Sequence, residues 1–241
     1  MKLLLIALGL TWSLLAAAQN TEIIPTPRDF PSNWLARHEG YVAEAKKGGA
    51  DILFLGDSIT DGWRWGTGGS QLWPILYASR HALNFGIGYD RIQNVLWRVD
   101  HGELDGLNPK VVVLLIGTNN TGNEDNGQPR NTTPEVIAGV SNLVRQIQLR
   151  LPASKILLLG LFPRGEKTDP IRVQVKAVNA GLATLNNSGS VRFLDIGGRF
   201  LASDGALSRG LFPDLLHPNQ KGYQIWADAM EPLLTELLKA P

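Results

Sequence analysis

The chain has 241 residues, with 23 Lys plus Arg against 22 Asp plus Glu and no cysteine. That length suits one large domain with a continuous core of its own. Balanced charge speaks against a general nucleic-acid or membrane-surface partner, and the missing cysteines exclude disulfides, thiolate metal sites and a cysteine nucleophile.

Residues 1–18, MKLLLIALGLTWSLLAAA, carry the signs of a cleaved export signal. Lys2 supplies a basic start, an apolar stretch follows, and Ala16-Ala17-Ala18 fits the small-residue cleavage rule. The run is shorter than the roughly 20 apolar residues a retained anchor needs. The expectation is a mature chain from Gln19, periplasmic or extracellular, with no stable membrane insertion. Removing Lys2 and no acid leaves that mature chain at 22 − 22 = 0 net charge.

His38 lies in the first amphipathic helical stretch of the mature chain. The run DILFLG (51–56) then reads as a strand, broken by Gly-Asp-Ser, and ALNF (82–85) as a second. RIQNVLWRVD follows, with Ile92, Val95, Leu96 and Val99 on one helix face. VVVLLIG (111–117) is a third strand, leading into the long polar loop GTNNTGNEDNGQPRNTT (117–133). TPEVIAGVSNLVRQIQLRL opens with Thr133 as expected N-cap, Pro134 in the first turn and Glu135 at the positive dipole end. KILLLGLF (155–162) and VRFLDI (191–196) give two more strands, and GYQIWADAMEPLLTELL a last helix that Pro232 is expected to kink or interrupt.

The strand runs are rich in Val, Ile and Leu without polar alternation, as in sheets covered on both faces. Strands alternating with helices imply a parallel sheet between helical layers. In such sheets ligands bind beyond the carboxyl ends of the strands, and both Ser58 and Asn119 follow strands there. A serine hydroxyl needs a base, itself oriented by a third group, to attack at neutral pH. Of four histidines, His38, His81 and His101 read as surface or packing residues. His217 differs, because FPDLLHPNQKGY places Asp214 three residues before it, close enough to fold back and fix the ring's tautomer. Asp214 capping its own turn is the plainer alternative. Asp57 and Ser58 capping the next helix is the plainer reading of that pair. Acyl transfer also needs donors for an oxyanion, and the Asn119 amide, the Ser58 N–H and the NFGIGYD turn offer them.

The blocks GDSIT, NFGIGYD, IGTNN and DLLHPN, in this order, resemble the GDSL/SGNH hydrolases. Longer stretches, HALNFGIGYDRIQNVLWRVDHGELDGLNPKVVVLLIGTNN among them, are similar to the catalytic subunits of platelet-activating-factor acetylhydrolase. The resemblance spans about residues 50–235 and implies a flavodoxin-like α/β/α fold with strand order 2-1-3-4-5. It implies a metal-independent, cofactor-free serine esterase with Ser58 as nucleophile, His217 as base, Asp214 as its orienting acid and Asn119 as oxyanion donor. Related subunits dimerise, so a homodimer is one partner it suggests. One departure is Tyr89, which stands where the family usually has a glycine whose N–H binds the oxyanion. With a negative φ its N–H still serves; with a positive φ tyrosine is strained or Gly88 takes over.

Near the nucleophile, Asp57, Trp63 and Trp65 are candidate pocket residues, and Trp73 is expected in the core. Arg130, on the long loop, reaches either a polar substrate or, by preference, solvent. The leading expectation is an exported esterase removing short acyl groups, acetyl first, from acetylated carbohydrate. The alternatives are an acetyl-ester lipid hydrolase and a non-catalytic glycan-binding protein on the same scaffold. Phosphate and dinucleotide loops and the G-x-S-x-G elbow are absent from the sequence.

Overall fold

The computed structural model describes residues 23–239. The expected export signal lies outside them. Helix α1 (Trp34–Ala45) leads into β1 (Ile52–Gly56), the one-turn α2 (Ser58–Asp61), the short α3 (Trp73–Leu76) and β2 (Ala82–Gly86). Then come α4 (Ile92–Asp100), β3 (Val111–Leu115), α5 (Thr133–Arg150), β4 (Lys155–Leu159), α6 (Pro170–Leu182), β5 (Val191–Leu194) and α7 (Gln220–Lys239). All strand pairings are parallel and the order is β2-β1-β3-β4-β5, with helices on both faces. Every residue of β1 and β3 is buried, which is why their sequences run apolar without alternation. No described helix is long and apolar enough to cross a membrane.

One layer is α4, α5 and α6 side by side. On the other side Phe54 of β1 meets an aromatic cluster of Trp63, Trp73, Tyr77 and Trp226, the last from α7. Trp63 is 0% exposed, so this side chain is core and not part of a substrate pocket. Its flat bulk fills the angle between α2 and α7, where Tyr223 packs on it with centroids 4.6 Å apart. Trp73 joins the same cluster, as its sequence context suggested.

Two local expectations change. Thr132, not Thr133, caps α5: its hydroxyl accepts from Glu135 N–H, and Glu135 accepts from Thr132 N–H at 2.7 Å, closing a capping box. Pro232 does not interrupt α7, which runs on to Lys239. Burial of Trp226, Met230, Leu234 and Leu237 on one stripe outweighs the hydrogen bond that proline forfeits.

Beneath the carboxyl ends of β1 and β2 lies a closed polar ring. Arg98 donates to the carbonyls of Phe85 (2.9 Å) and Gly56 (3.2 Å) and to Glu103 (2.5 Å), and its Nε lies 3.0 Å from Asp90 Oδ2. Glu103 meets His38 at 3.1 Å, His38 stacks on Trp34, and the Trp34 indole donates to Asp90 at 2.7 Å. His38 is thus a buried packing residue, as read. The ring binds α1, α4 and both strands to the turn that carries Tyr89.

Candidate active site

β1 ends at Gly56, where a Cβ would run into the Leu115 carbonyl and the Thr60 hydroxyl. Glycine therefore lets the α2 turn fold tightly over the strand end. Asp57 caps that turn, its Oδ1 accepting from Ile59 N–H at 2.9 Å. Ser58 is the first residue of α2, mostly buried. The capping reading thus holds for Asp57, and leaves the serine side chain for something else.

Ser58 Oγ lies 2.9 Å from His217 Nε2, and His217 Nδ1 lies 2.6 Å from Asp214 Oδ2. Asp214 Oδ1 also accepts from the N–H groups of His217 (2.7 Å) and Leu216 (3.0 Å). The carboxylate is 54% exposed, and its modest burial works to raise the pKa. The two N–H groups and the His217 ring outweigh that burial and hold Asp214 below the usual carboxylate range. The turn between them puts Leu215 at φ +59°, a left-handed conformation costing about 1–2 kcal/mol for a residue with a Cβ. Trp65, half-buried, packs against the His217 ring with centroids 5.3 Å apart.

Around Ser58 stand the oxyanion candidates. Asn119 sits in the single turn Thr118–Asn120 after β3, and its Nδ2 donates to Asp90 O at 2.9 Å. That bond uses one amide hydrogen and leaves the second. Gly88 comes so near the serine that a Cβ built on it would lie 4.0 Å from Ser58 Cβ. The N–H groups of Ser58, Gly88 and Tyr89 have no acceptor among the described residues. Tyr89 adopts φ +66°, so the negative-φ alternative is set aside and the turn holds a strained tyrosine where glycine would be free. Its ring is 62% exposed, edge-on to Phe30 at 5.5 Å and beneath Arg28. With Asn119 it walls a cleft of about 300 Å³.

Arg130 corrects another expectation. Its guanidinium folds back from solvent, with Nη1 donating to Asn119 O at 3.4 Å and Nε 3.5 Å from Glu124. Arg164, which the sequence reading passed over, donates to Thr118 O at 2.9 Å. Only its place just after β4, at the ligand edge of the sheet, signalled it.

Asp57 is 1% exposed and lines no substrate cleft, which corrects its place among the pocket residues. Its Oδ2 is buried without a partner. Burial pushes the carboxyl up to about 7, with the Ile59 N–H pulling it down and Asp90 adding to the rise. A carboxyl whose folded pKa exceeds its unfolded value weakens the fold progressively as pH rises from the unfolded pKa to the folded one. The wild-type chain should therefore lose about 2 kcal/mol between pH 5 and 8 that Asp57→Asn, which keeps the cap, does not. Urea melts of both chains across that range check it; parallel pH profiles would show Asp57 ionised throughout.

Residues 54–225 match the GDSL-like lipase/acylhydrolase family. Platelet-activating factor acetylhydrolase IB subunit alpha2 of Rattus norvegicus is 39% identical over 207 residues, 86% of this chain and 85% of that one. The alpha1 subunit of Homo sapiens is 34% identical over 228 residues, 93% of this chain and 94% of that one. A GDSL-like lipase structure from Bacteroides thetaiotaomicron superposes with TM-score 0.65 at 17% identity, over 83% of this chain and 98% of that one. A mutant of an acetyl-xylooligosaccharide esterase from Geobacillus gives 0.60 at 20% identity, over 80% and 96%. At those identities the two structures speak to the fold alone.

Proposed function

The chain belongs to the GDSL-like lipase/acylhydrolase family, and from that premise we propose that it is an exported acetylesterase working through Ser58, His217 and Asp214. The observation that carries the reading is the unbroken line Asp214–His217–Ser58, at 2.6 and 2.9 Å. With Nδ1 protonated toward Asp214, Nε2 accepts the Ser58 proton as the oxygen attacks the ester carbonyl. The N–H groups of Ser58 and of Gly88 or Tyr89, with the free Asn119 amide hydrogen, take the charge that develops on the carbonyl oxygen. His217 returns its proton to the leaving alkoxide, and water then releases acetate from the acyl-enzyme by the same steps.

An acetyl group is favoured because the relatives at 39% and 34% identity are named acetylhydrolases. Their named substrate, platelet-activating factor, supports an ester lipid as one source of that acetyl. An exported chain would also meet acetylated polysaccharide, and Trp65 beside His217 offers an aromatic face to a sugar ring. The basic, apolar and small-residue order of residues 1–18 supports export.

The test is a series of p-nitrophenyl acetate, butyrate and octanoate, followed by labelling with a fluorophosphonate and mass spectrometry of the recovered protein. Acetate should turn over fastest, the label should sit on Ser58, and the chain should begin at Gln19. A label elsewhere, or equal rates on all three esters, would reject the site or the acyl preference respectively.

A further inference from the structure

We propose that Arg130 and Arg164 form a subsite for an anionic substituent, phosphate or carboxylate, carried by the ester substrate. The proposal rests on the esterase reading and names the chemistry of its substrate.

The two guanidinium groups flank the oxyanion turn from within. Arg164 Nη1 donates to the Thr118 carbonyl and Arg130 Nη1 to that of Asn119, so both lie within a residue of the Asn119 donor. Both also line one cavity of about 620 Å³, between the long loop and the start of α6. Each also lines a second cleft. Arg164 shares a cleft of about 360 Å³ with Asp214 and Leu216, and Arg130 shares the 300 Å³ cleft with Tyr89 and Asn119. A substrate whose carbonyl lies at Ser58 would therefore project its neighbouring group along a cationic wall.

Local acids offset that wall only in part. Glu124 is gripped by both arms of Arg91, at 2.6 and 2.9 Å, and pairs more loosely with Arg130, whose Nε lies 3.5 Å away. That Nε is buried with no hydrogen-bond partner. Arg164 forms no ion pair among the described residues, its side-chain contact being the Thr118 carbonyl, and Asp169 beside it gives Oδ1 to the Ile171 N–H that it caps. Burial and then repulsion from Arg130 lower the Arg164 pKa, against the weaker pull of Asp169 and Asp57. An oxyanion between the two would satisfy the Arg130 Nε–H, which nothing else satisfies. Planar forks of this kind suit phosphate and carboxylate equally.

The competing view is that both arginines only pin the turn by its carbonyls. Four substrates with the same acetyl-phenol bond separate the two: 4-acetoxyphenyl phosphate, 4-acetoxybenzoate, methyl 4-acetoxybenzoate and phenyl acetate. The readout is the ratio of kcat/KM for each anionic ester to that for the neutral ones, in wild type, Arg164→Gln and Arg130→Gln. Charge-assisted hydrogen bonds predict that each variant lowers the ratio by about ten- to a hundredfold. The wild-type preference should also shrink as sodium chloride is added. A purely structural role lowers anionic and neutral rates together and leaves the ratio alone, which would overturn the subsite. So would a wild type without preference for either anion.

If no ester is hydrolysed, it is the esterase reading that fails. Titration calorimetry with inorganic phosphate, wild type against Arg164→Gln, then decides the subsite by itself: binding in wild type weakened in the variant supports it, and no binding rejects it. Two further arms tell the sources apart. A 2-acetyl glycerolipid bearing a phosphate is set against its uncharged counterpart, and an acetylated xylooligosaccharide bearing glucuronate against a neutral one.

Discussion

Ser58→Ala should abolish hydrolysis of p-nitrophenyl acetate, with kcat lower by on the order of 10⁶-fold, as for a triad serine in a well-studied protease. The residual rate comes from the oxyanion donors and binding, which the substitution leaves in place. The fold should not notice. Asp57 rather than Ser58 caps α2, and the lost hydroxyl faces only His217 Nε2. A change within about 0.5 kcal/mol in a urea melt is expected. Loss of activity with an unchanged melt assigns the chemistry to Ser58. Equal rates for wild type and variant would turn the chain into a binding protein on an esterase scaffold.

Arg98→Ala should be the most destabilising single change near the site, costing about 3–5 kcal/mol at neutral pH. The guanidinium is 0% exposed and faces two buried carboxylates, so its removal strands both. Burial already pushes Asp90 up to about 6, with Arg98 the main force opposing it. In the variant Asp90 loses that opposing charge, so its folded pKa rises further and it takes up a proton more readily. The cost of ionising Asp90 therefore grows as pH rises, and the variant should lie nearer wild type at pH 5 than at pH 8. Arg98→Lys keeps the charge, but a compact ammonium does not span Asp90, Glu103 and two strand carbonyls, so an intermediate loss is expected. Urea midpoints at both pH values check the series. A loss below about 1 kcal/mol would mean that the ring contributes little.

Much of the sheet could be read from the chain, because a parallel strand covered on both faces writes itself as an uninterrupted apolar run. DILFLG and VVVLLIG are such runs. The helix Pro170–Leu182 carried its own signals, Asp169 as N-cap, Pro170 in the first turn and Ile171, Val175, Val178 and Leu182 along one stripe, yet the sequence reading did not single it out. Ser58, Asp214 and His217 were legible as residue types in ordered blocks, and the fold brings them into hydrogen-bond reach. What stayed hidden depends on tertiary context. Trp63 looked the same as Trp65 on paper, and only the crossing of α7 makes one core and the other a wall beside His217. The left-handed Tyr89 and Leu215 leave no composition signal, since neither is a residue type that turns favour. The inward fold of Arg130 and the Arg98 ring join segments far apart in sequence.

Ser58 stands 159 positions before the histidine that faces it. The base and its carboxylate come on one late turn, and Tyr223 of α7 then ties that end of the chain to α2 by donating to Ile59 O at 2.7 Å. During synthesis the serine thus emerges long before anything can activate it, so a nascent chain carries an inert alcohol. Hydrolytic competence arrives only when the carboxyl-terminal segment docks. A truncation between Phe212 and His217 would keep all five strand segments in the chain and take away the serine's proton acceptor.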